Sequence, residues 1–185
     1  MQKIIVLAGE IACGKGTIVK YLEEKYGAKS VRFSTILRDI IARLYLEESR
    51  ENLQKLSTCL RQTFSEDILS YAIAEDAKKI KNQVVLLDGA RRESDIKYLK
   101  EISGFMLVYI EADPKVCYER MILRGENSGE KQKTFEEFLT EREQEAEIQI
   151  RSLKKMADFV LDNNGSQDDL KKQVDEMLKE INSVK

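Results

Sequence analysis

Gly9, Gly14 and Gly16 fall within eight residues of one another in AGEIACGKGT (Ala8 to Thr17), and Lys15 stands between the last two. Gly9-x4-Gly14-Lys15 is the spacing of a loop that wraps phosphate. Glycine lets the backbone curl so that successive N–H groups face one anion, and a helix that follows adds the positive end of its dipole. Lys15 would reach the outer phosphates as a compact charge. Gly9, Ala12, Cys13, Gly14, Gly16 and Thr17 would form the rest of the cradle, with Cys13 a small side chain inside it. Further along, VVLLD ends in Asp88 and runs on into Gly89, Arg91 and Arg92. A carboxylate at the end of a buried strand beside such a loop is where magnesium or its water shell needs one. Asp88 and Thr17 are therefore the candidate metal residues. Arg120 and Arg124 lie four apart, on one helical face, just before a segment without periodicity.

Composition narrows the chemistry. The chain has 185 residues, 42% of them apolar and 35% charged, and its net charge is −2, from 31 Lys+Arg against 33 Asp+Glu. That describes a helix-rich globular chain, most simply one domain, with no overall field to attract nucleic acid or an anionic membrane. Anion binding must come from local placement of arginines. There is no histidine, so the usual general base and every Ser-His or Cys-His mechanism are excluded. Cys13, Cys59 and Cys117 have neither metal-ligand spacing nor an even count, which favours a reducing, cytoplasmic setting. No run approaches membrane-spanning length.

Five strands alternate with helices. KIIVLA (Lys3 to Ala8), KSVRF (Lys29 to Phe33), VVLLD (Val84 to Asp88), FMLVYIE (Phe105 to Glu111) and ADFVLD (Ala157 to Asp162) read as strands; continuous apolar runs such as the first suit a sheet covered on both faces. Ile18, Val19, Leu22 and Tyr26 share one helical face after the glycine loop. Ser34 to about Asn82 is helical, broken near Glu47–Arg50 and Ser65, and Thr134 to about Met156 is helical again. Asp113 and Pro114 start a helix, and Ser166 with Asp169 has the spacing of a capping box before the last one. Such alternation predicts an open parallel sheet with its ligand crevice beyond the carboxyl ends of the strands.

With these motifs in place, the chain resembles the P-loop nucleoside monophosphate kinases, adenylate kinase-like and archaeal-type, related to dephospho-CoA kinases. The resemblance rests on the Gly-Lys-Gly-Thr ending of the loop, on LLDGARR, and on RGENSG (Arg124 to Gly129), which is similar to the short Arg-Gly-Glu-Thr-Ser-Gly lid of adenylate kinases. It implies a three-layer α/β/α P-loop NTPase fold with a five-stranded parallel sheet. The core would be 1–33, 83–124 and 134–185, with a helical acceptor-binding insertion at 34–82 and a short lid at 125–133. It also implies roles. Ser34, Thr35 and Arg38 of STILR, with Gly89, Arg91 and Arg92, would hold the acceptor. Lys15, Arg92, Arg120, Arg124 and Arg142 would surround the transferring phosphoryl group, and Arg120, Asn164 and Gly165 would add to the ATP site. Three positions depart from the family. The Gly-Asp within the STILR turn is missing, Arg91 is an extra arginine, and Glu130 stands where a further lid arginine is common.

The activity so implied is transfer of the γ-phosphoryl group of ATP, with Mg2+, to a nucleoside monophosphate. Partners would be small nucleotides only, and the protein a monomer or homodimer. Two other readings fit the same residues: a dephospho-CoA kinase-like or other small-metabolite kinase, and a nucleotide-binding regulatory module with little turnover. A nucleic-acid-handling ATPase lacks a basic patch and stacking aromatics.

Overall fold

The computed structural model describes residues 2–125, 130–143 and 145–183. Five parallel strands, β1 (Lys3–Ala8), β2 (Lys29–Arg32), β3 (Val84–Ala90), β4 (Phe105–Glu111) and β5 (Phe159–Asp162), form one sheet in the order β2-β3-β1-β4-β5. Side chains alternate across a strand, and here both faces are covered. Ile5, Leu7, Leu86, Val108 and Ile110 pack under α1 (Lys15–Tyr26), α5 (Pro114–Arg124), α6 (Phe135–Arg142) and α8 (Gln167–Ser183). Ile4, Val6, Val85, Leu87 and Leu107 pack under α2 (Phe33–Arg43), α4 (Ile68–Lys79) and the 93–102 and 150–156 segments. Each buried Leu or Ile stabilises by roughly 1.5–3 kcal/mol. An unbroken apolar run is therefore worth most where both faces are dry. The expected three layers and five parallel strands are present.

Elements agree with the sequence to within a few residues, with informative differences. β3 runs on to Ala90, because a bulge at Gly89 (φ 99°) lets the pairing step from Leu7–Asp88 to Ala8–Ala90. The 34–82 stretch forms α2, α3 (Arg50–Thr63) and α4, with breaks at 44–49 and 64–67. α2 begins at Phe33, capped by Arg32 without a side-chain bond. The Thr134–Met156 stretch is split into α6, α7 (Glu145–Ser152) and a 3-10 turn (Leu153–Met156). Asp113 holds the cap position of α5, yet its side chain makes no capping bond there. The Ser166–Asp169 capping box is formed reciprocally, the Ser166 N–H donating to Asp169 Oδ2 and the Asp169 N–H to Ser166 Oγ, each at 3.2 Å.

Tyr26 is 38% exposed rather than part of the core face of α1. Its hydroxyl and that of Tyr21 each donate to Asp175 Oδ1 at 2.7 Å, and Lys25 Nζ donates to Asp175 Oδ2 at 2.7 Å. This cluster ties α1, which carries Lys15, to α8. Partial burial pushes the Asp175 carboxyl up, but the bonds from Lys25, Tyr26 and Tyr21 outweigh it and hold it down at about 2 against an ordinary 3.8. A depressed carboxylate contributes stability that is present above its unfolded value and is lost as pH falls through about 2. In its partly exposed setting the contribution is about 1 kcal/mol. Asp175→Asn is thus expected to lower stability by about that amount at pH 7, and the gap to wild type should narrow between pH 4 and pH 2. Urea unfolding at several pH values checks this; a gap that stays constant would refute it.

Candidate functional site

At the carboxyl end of β1 the chain turns through three positive-φ residues, Gly9 (φ 148°), Ala12 (φ 58°) and Gly14 (φ 111°), before α1 begins at Lys15. A Cβ on Gly9 would collide with the Ile110 carbonyl and lie 2.6 Å from Cys13 Sγ, and one on Gly14 would collide with Asn163 Nδ2. Both glycines are therefore required twice, by backbone angle and by space. A Cβ on Gly16 would meet nothing within 4 Å, so packing does not demand glycine there. Lys15 Nζ reaches across the loop and donates to the carbonyls of Gly9 (2.6 Å) and Glu10 (3.0 Å). Thr17 lies in the first turn of α1. Cys13 is fully buried; burial raises its thiol pKa, Lys15 only partly opposing this, so the thiol stays protonated.

The loop is clamped from the end of β5 by Asn163, the residue just before the expected Asn164 and Gly165. Its buried Nδ2 donates to the Cys13 carbonyl at 2.8 Å and its N–H to the Glu111 carbonyl at 2.8 Å. The two expected neighbours follow it. Asn164 Oδ1 accepts the Asp113 N–H at 2.7 Å, and Gly165 lies against Asp169. Two consecutive asparagines follow the last strand, and nothing local says which one turns inward.

Arg120 Nη1 donates to the Asn163 carbonyl at 2.9 Å, which sets it beside the loop. Arg142 is buried, and its Nη2 donates to Glu10 Oε2 at 2.6 Å. Arg151 Nε stands 3.7 Å from Glu10 Oε1, and Arg151 Nη2 donates to the Arg142 carbonyl at 2.6 Å. Sequence reasoning missed Glu10 and Arg151 too, although an acidic residue inside a phosphate loop is itself a sign that a cation must stand opposite. Arg142 Nη1 is buried without a hydrogen-bond partner among the described residues. Arg124 Nη2 donates to Glu130 Oε1 at 3.2 Å, and Glu130 is buried. The residue that departs from the lid pattern is thus a partner of a lid arginine. Glu126, Asn127, Ser128 and Gly129, the centre of the expected lid, lie outside the described residues.

Asp88 pairs with Leu7 in the sheet, one residue before Ala8 leads into the loop. Its Oδ1 is buried with no hydrogen-bond partner among the described residues, and its charge is felt at Cys13. A carboxylate oxygen left bare beside phosphate-binding donors fits a divalent cation that takes its remaining ligands from phosphate and water.

The acceptor candidates gather at the carboxyl ends of β2 and β3, where Arg32 pairs with Asp88. Arg38 is ion-paired with Glu48, and its Nε donates to Ser34 Oγ at 3.4 Å. Thr35 is exposed at the start of α2. Arg92 Nη1 donates to Glu66 Oε1 at 2.6 Å, while Arg91 is exposed. Lys15, Asp88, Asn163, Arg120 and Arg142 thus cluster about the glycine loop, whereas Arg38, Arg92 and Arg124 each rest on a carboxylate at its margins. Those are contacts that a phosphate of higher charge would replace.

A glycine loop between the central strand of a parallel sheet and the helix that follows, with lysine across its mouth, defines the three-layer P-loop NTPase fold. Residues 9–139 match the AAA_17 family model, an AAA domain, and the chain belongs to that family. It is similar to a UPF0200 protein of Sulfurisphaera tokodaii, 29% identical over 181 residues that cover 97% of each chain. Among solved structures it is similar to an uncharacterized protein from Eubacterium ventriosum (TM-score 0.64, 15% identity, 99% of each chain). It is also similar to shikimate kinase from Acinetobacter baumannii in complex with shikimate (TM-score 0.56, 16% identity, 100% of this chain and 97% of that one). The fold is the three-layer P-loop NTPase fold. Among the described residues, no helix is long and apolar enough to cross a membrane.

Proposed function

We propose that the protein transfers the γ-phosphoryl group of ATP to the phosphate of a nucleoside monophosphate. The observation that carries this reading is the presence of two separate sets of cations on either side of Asp88. One set, Lys15, Arg120 and Arg142, surrounds the glycine loop; the other, Arg38, Arg91 and Arg92, stands where β3 and α2 meet. A pure hydrolase or switch needs only the first set.

The donor would lie with its phosphates against the amides of residues 9–17. Lys15 and the unpartnered Nη1 of Arg142 would bind oxygens that gain charge during transfer. Asp88 and Thr17 would hold magnesium, which when bound would neutralise charge between the phosphates. Arg38, Arg91 and Arg92 would grip the acceptor phosphate and bring it in line. A phosphate acceptor is already a nucleophile, so a chain without histidine can run the reaction. The 125–133 segment, next to Arg124, would close over the site and exclude water.

The deciding experiment is ADP formation from Mg-ATP across a panel of ribo- and deoxynucleoside monophosphates, with dephospho-CoA and shikimate included. Strong stimulation by one monophosphate is expected. Stimulation only by dephospho-CoA or shikimate would keep the fold and donor site but replace the acceptor. A solved shikimate kinase among the structural neighbours is the reason to keep that second reading. Indifference to every acceptor, with tight ATP binding, would favour a regulatory module. Once an acceptor is identified, Arg92→Ala is expected to raise its Michaelis constant by about 10–100-fold, the worth of a charge-assisted phosphate contact. The constant for ATP should stay within about twofold. A larger rise for ATP would put Arg92 on the donor side.

A further inference from the structure

Arg61 belongs to no motif, yet it is among the most buried charges in the molecule, its side chain 7% exposed on α3. Nη2 donates to Asp95 Oδ1 at 2.5 Å, and Nη1 donates to the Glu66 carbonyl. Asp95 is itself buried, and its other oxygen, Oδ2, accepts the backbone N–H groups of Arg91 (2.8 Å) and Arg92 (3.1 Å). Glu66 then closes the circuit, its Oε1 lying 3.4 Å from Arg61 Nη1 and 2.6 Å from Arg92 Nη1. One carboxylate thus divides its two oxygens between a cation on the helical segment and the two amides that follow the Gly89 bulge.

A buried ion pair is a poor way to gain stability, because apolar residues of the same volume usually do as well or better. What this pair supplies is direction. Two amides held on one oxygen fix the backbone from which the Arg91 and Arg92 side chains leave, and Arg61 fixes that oxygen. We infer that Arg61, acting through Asp95, is a positioning residue that aims Arg91 and Arg92 at the acceptor phosphate. Through this pair α3 braces the acceptor arginines from behind. The inference rests on the proposed acceptor role of those arginines, and its test is built to be separable from that role.

The test compares wild type with Arg61→Met/Asp95→Leu, which replaces the pair by apolar side chains and leaves no unpaired buried charge, and with Arg61→Lys. Three quantities are read: hydrogen exchange at the Arg91 and Arg92 amides, the affinity for inorganic phosphate followed at the Arg92 Nε–Hε resonance, and the Michaelis constants for ATP and for the best monophosphate of the panel. In the double variant, both amides are expected to exchange about tenfold faster or more while the amides of β1 keep their protection. Phosphate affinity at Arg92 and the acceptor Michaelis constant should each worsen about tenfold, with kcat and the constant for ATP within about twofold. Arg61→Lys should recover most of both. Unchanged amide exchange, unchanged phosphate affinity, or a common fall in kcat and both Michaelis constants would overturn the inference. Should no monophosphate be phosphorylated, the phosphotransfer reading fails alone, because exchange and phosphate affinity still decide the role of the Arg61–Asp95 pair. Wild type that binds no phosphate at Arg92 would overturn it as well.

Discussion

Lys15→Met is expected to reduce phosphoryl transfer by about a hundredfold to a thousandfold while the protein remains folded. The magnitude follows from removing a preorganised cation from a water-poor site, where one such group is worth roughly 3–4 kcal/mol in the transition state. Methionine retains much of the aliphatic stem and removes the charge. Lys15 Nζ donates to the carbonyls of Gly9 and Glu10, at the edge of a half-buried site. Each such bond nets only about 1 kcal/mol, and water can replace the ammonium at both carbonyls. Turnover should therefore fall far more than stability. Steady-state ADP release and a urea midpoint, measured on the same preparation, separate the two. Near-normal turnover would remove Lys15 from the phosphates.

Asp88→Asn should move stability and activity in opposite directions. The Oδ1 of Asp88 is buried with no donor among the described residues to satisfy it, and an unsatisfied buried polar group costs about 1–3 kcal/mol, more if charged. Asparagine keeps the shape and removes the charge, so the ligand-free variant is expected to be about 1 kcal/mol more stable than wild type. Magnesium prefers carboxylate oxygen, so turnover should drop about a hundredfold, and more magnesium should be needed for half of it. Calorimetry without nucleotide, beside a magnesium titration of turnover, checks both halves. A less stable ligand-free variant would mean that the oxygen is satisfied after all. An unchanged magnesium requirement would place the metal elsewhere. Such opposition is what a site built for an absent partner should show: the strain that ligand binding relieves is visible as lost stability without it.

The sheet was legible because its causes are local. A strand buried on both faces must be apolar at every position, so KIIVLA and FMLVYIE mark β1 and β4 to the residue. The glycine loop was legible for the same kind of reason. Gly9 and Gly14 sit at positive φ, a demand each position makes on its own residue type regardless of what packs nearby. The Ser166–Asp169 box and the helix start at Pro114 are likewise interactions within one turn. Where local signals compete, boundaries slipped. α6 and α7 share one periodic stretch, and Tyr26 has the spacing of the apolar face of α1 yet turns to Asp175, because α8 brings a carboxylate within reach of its hydroxyl.

Sequence alone therefore determined the three layers, the five parallel strands and the position of the loop, since period, spacing and backbone angle are properties of neighbours in the chain. Only the tertiary structure decided which charges meet. Glu10 and Arg142 are 132 positions apart, Cys13 and Asn163 are 150 apart, and Arg61 and Asp95 are 34 apart on different elements. Each pair depends on where a crossover returns the chain to the sheet, and a carboxylate or guanidinium carries no periodic signal of its partner. The cradle is written in the order of residues; the partners that hold its arginines in place exist only once the layers have closed.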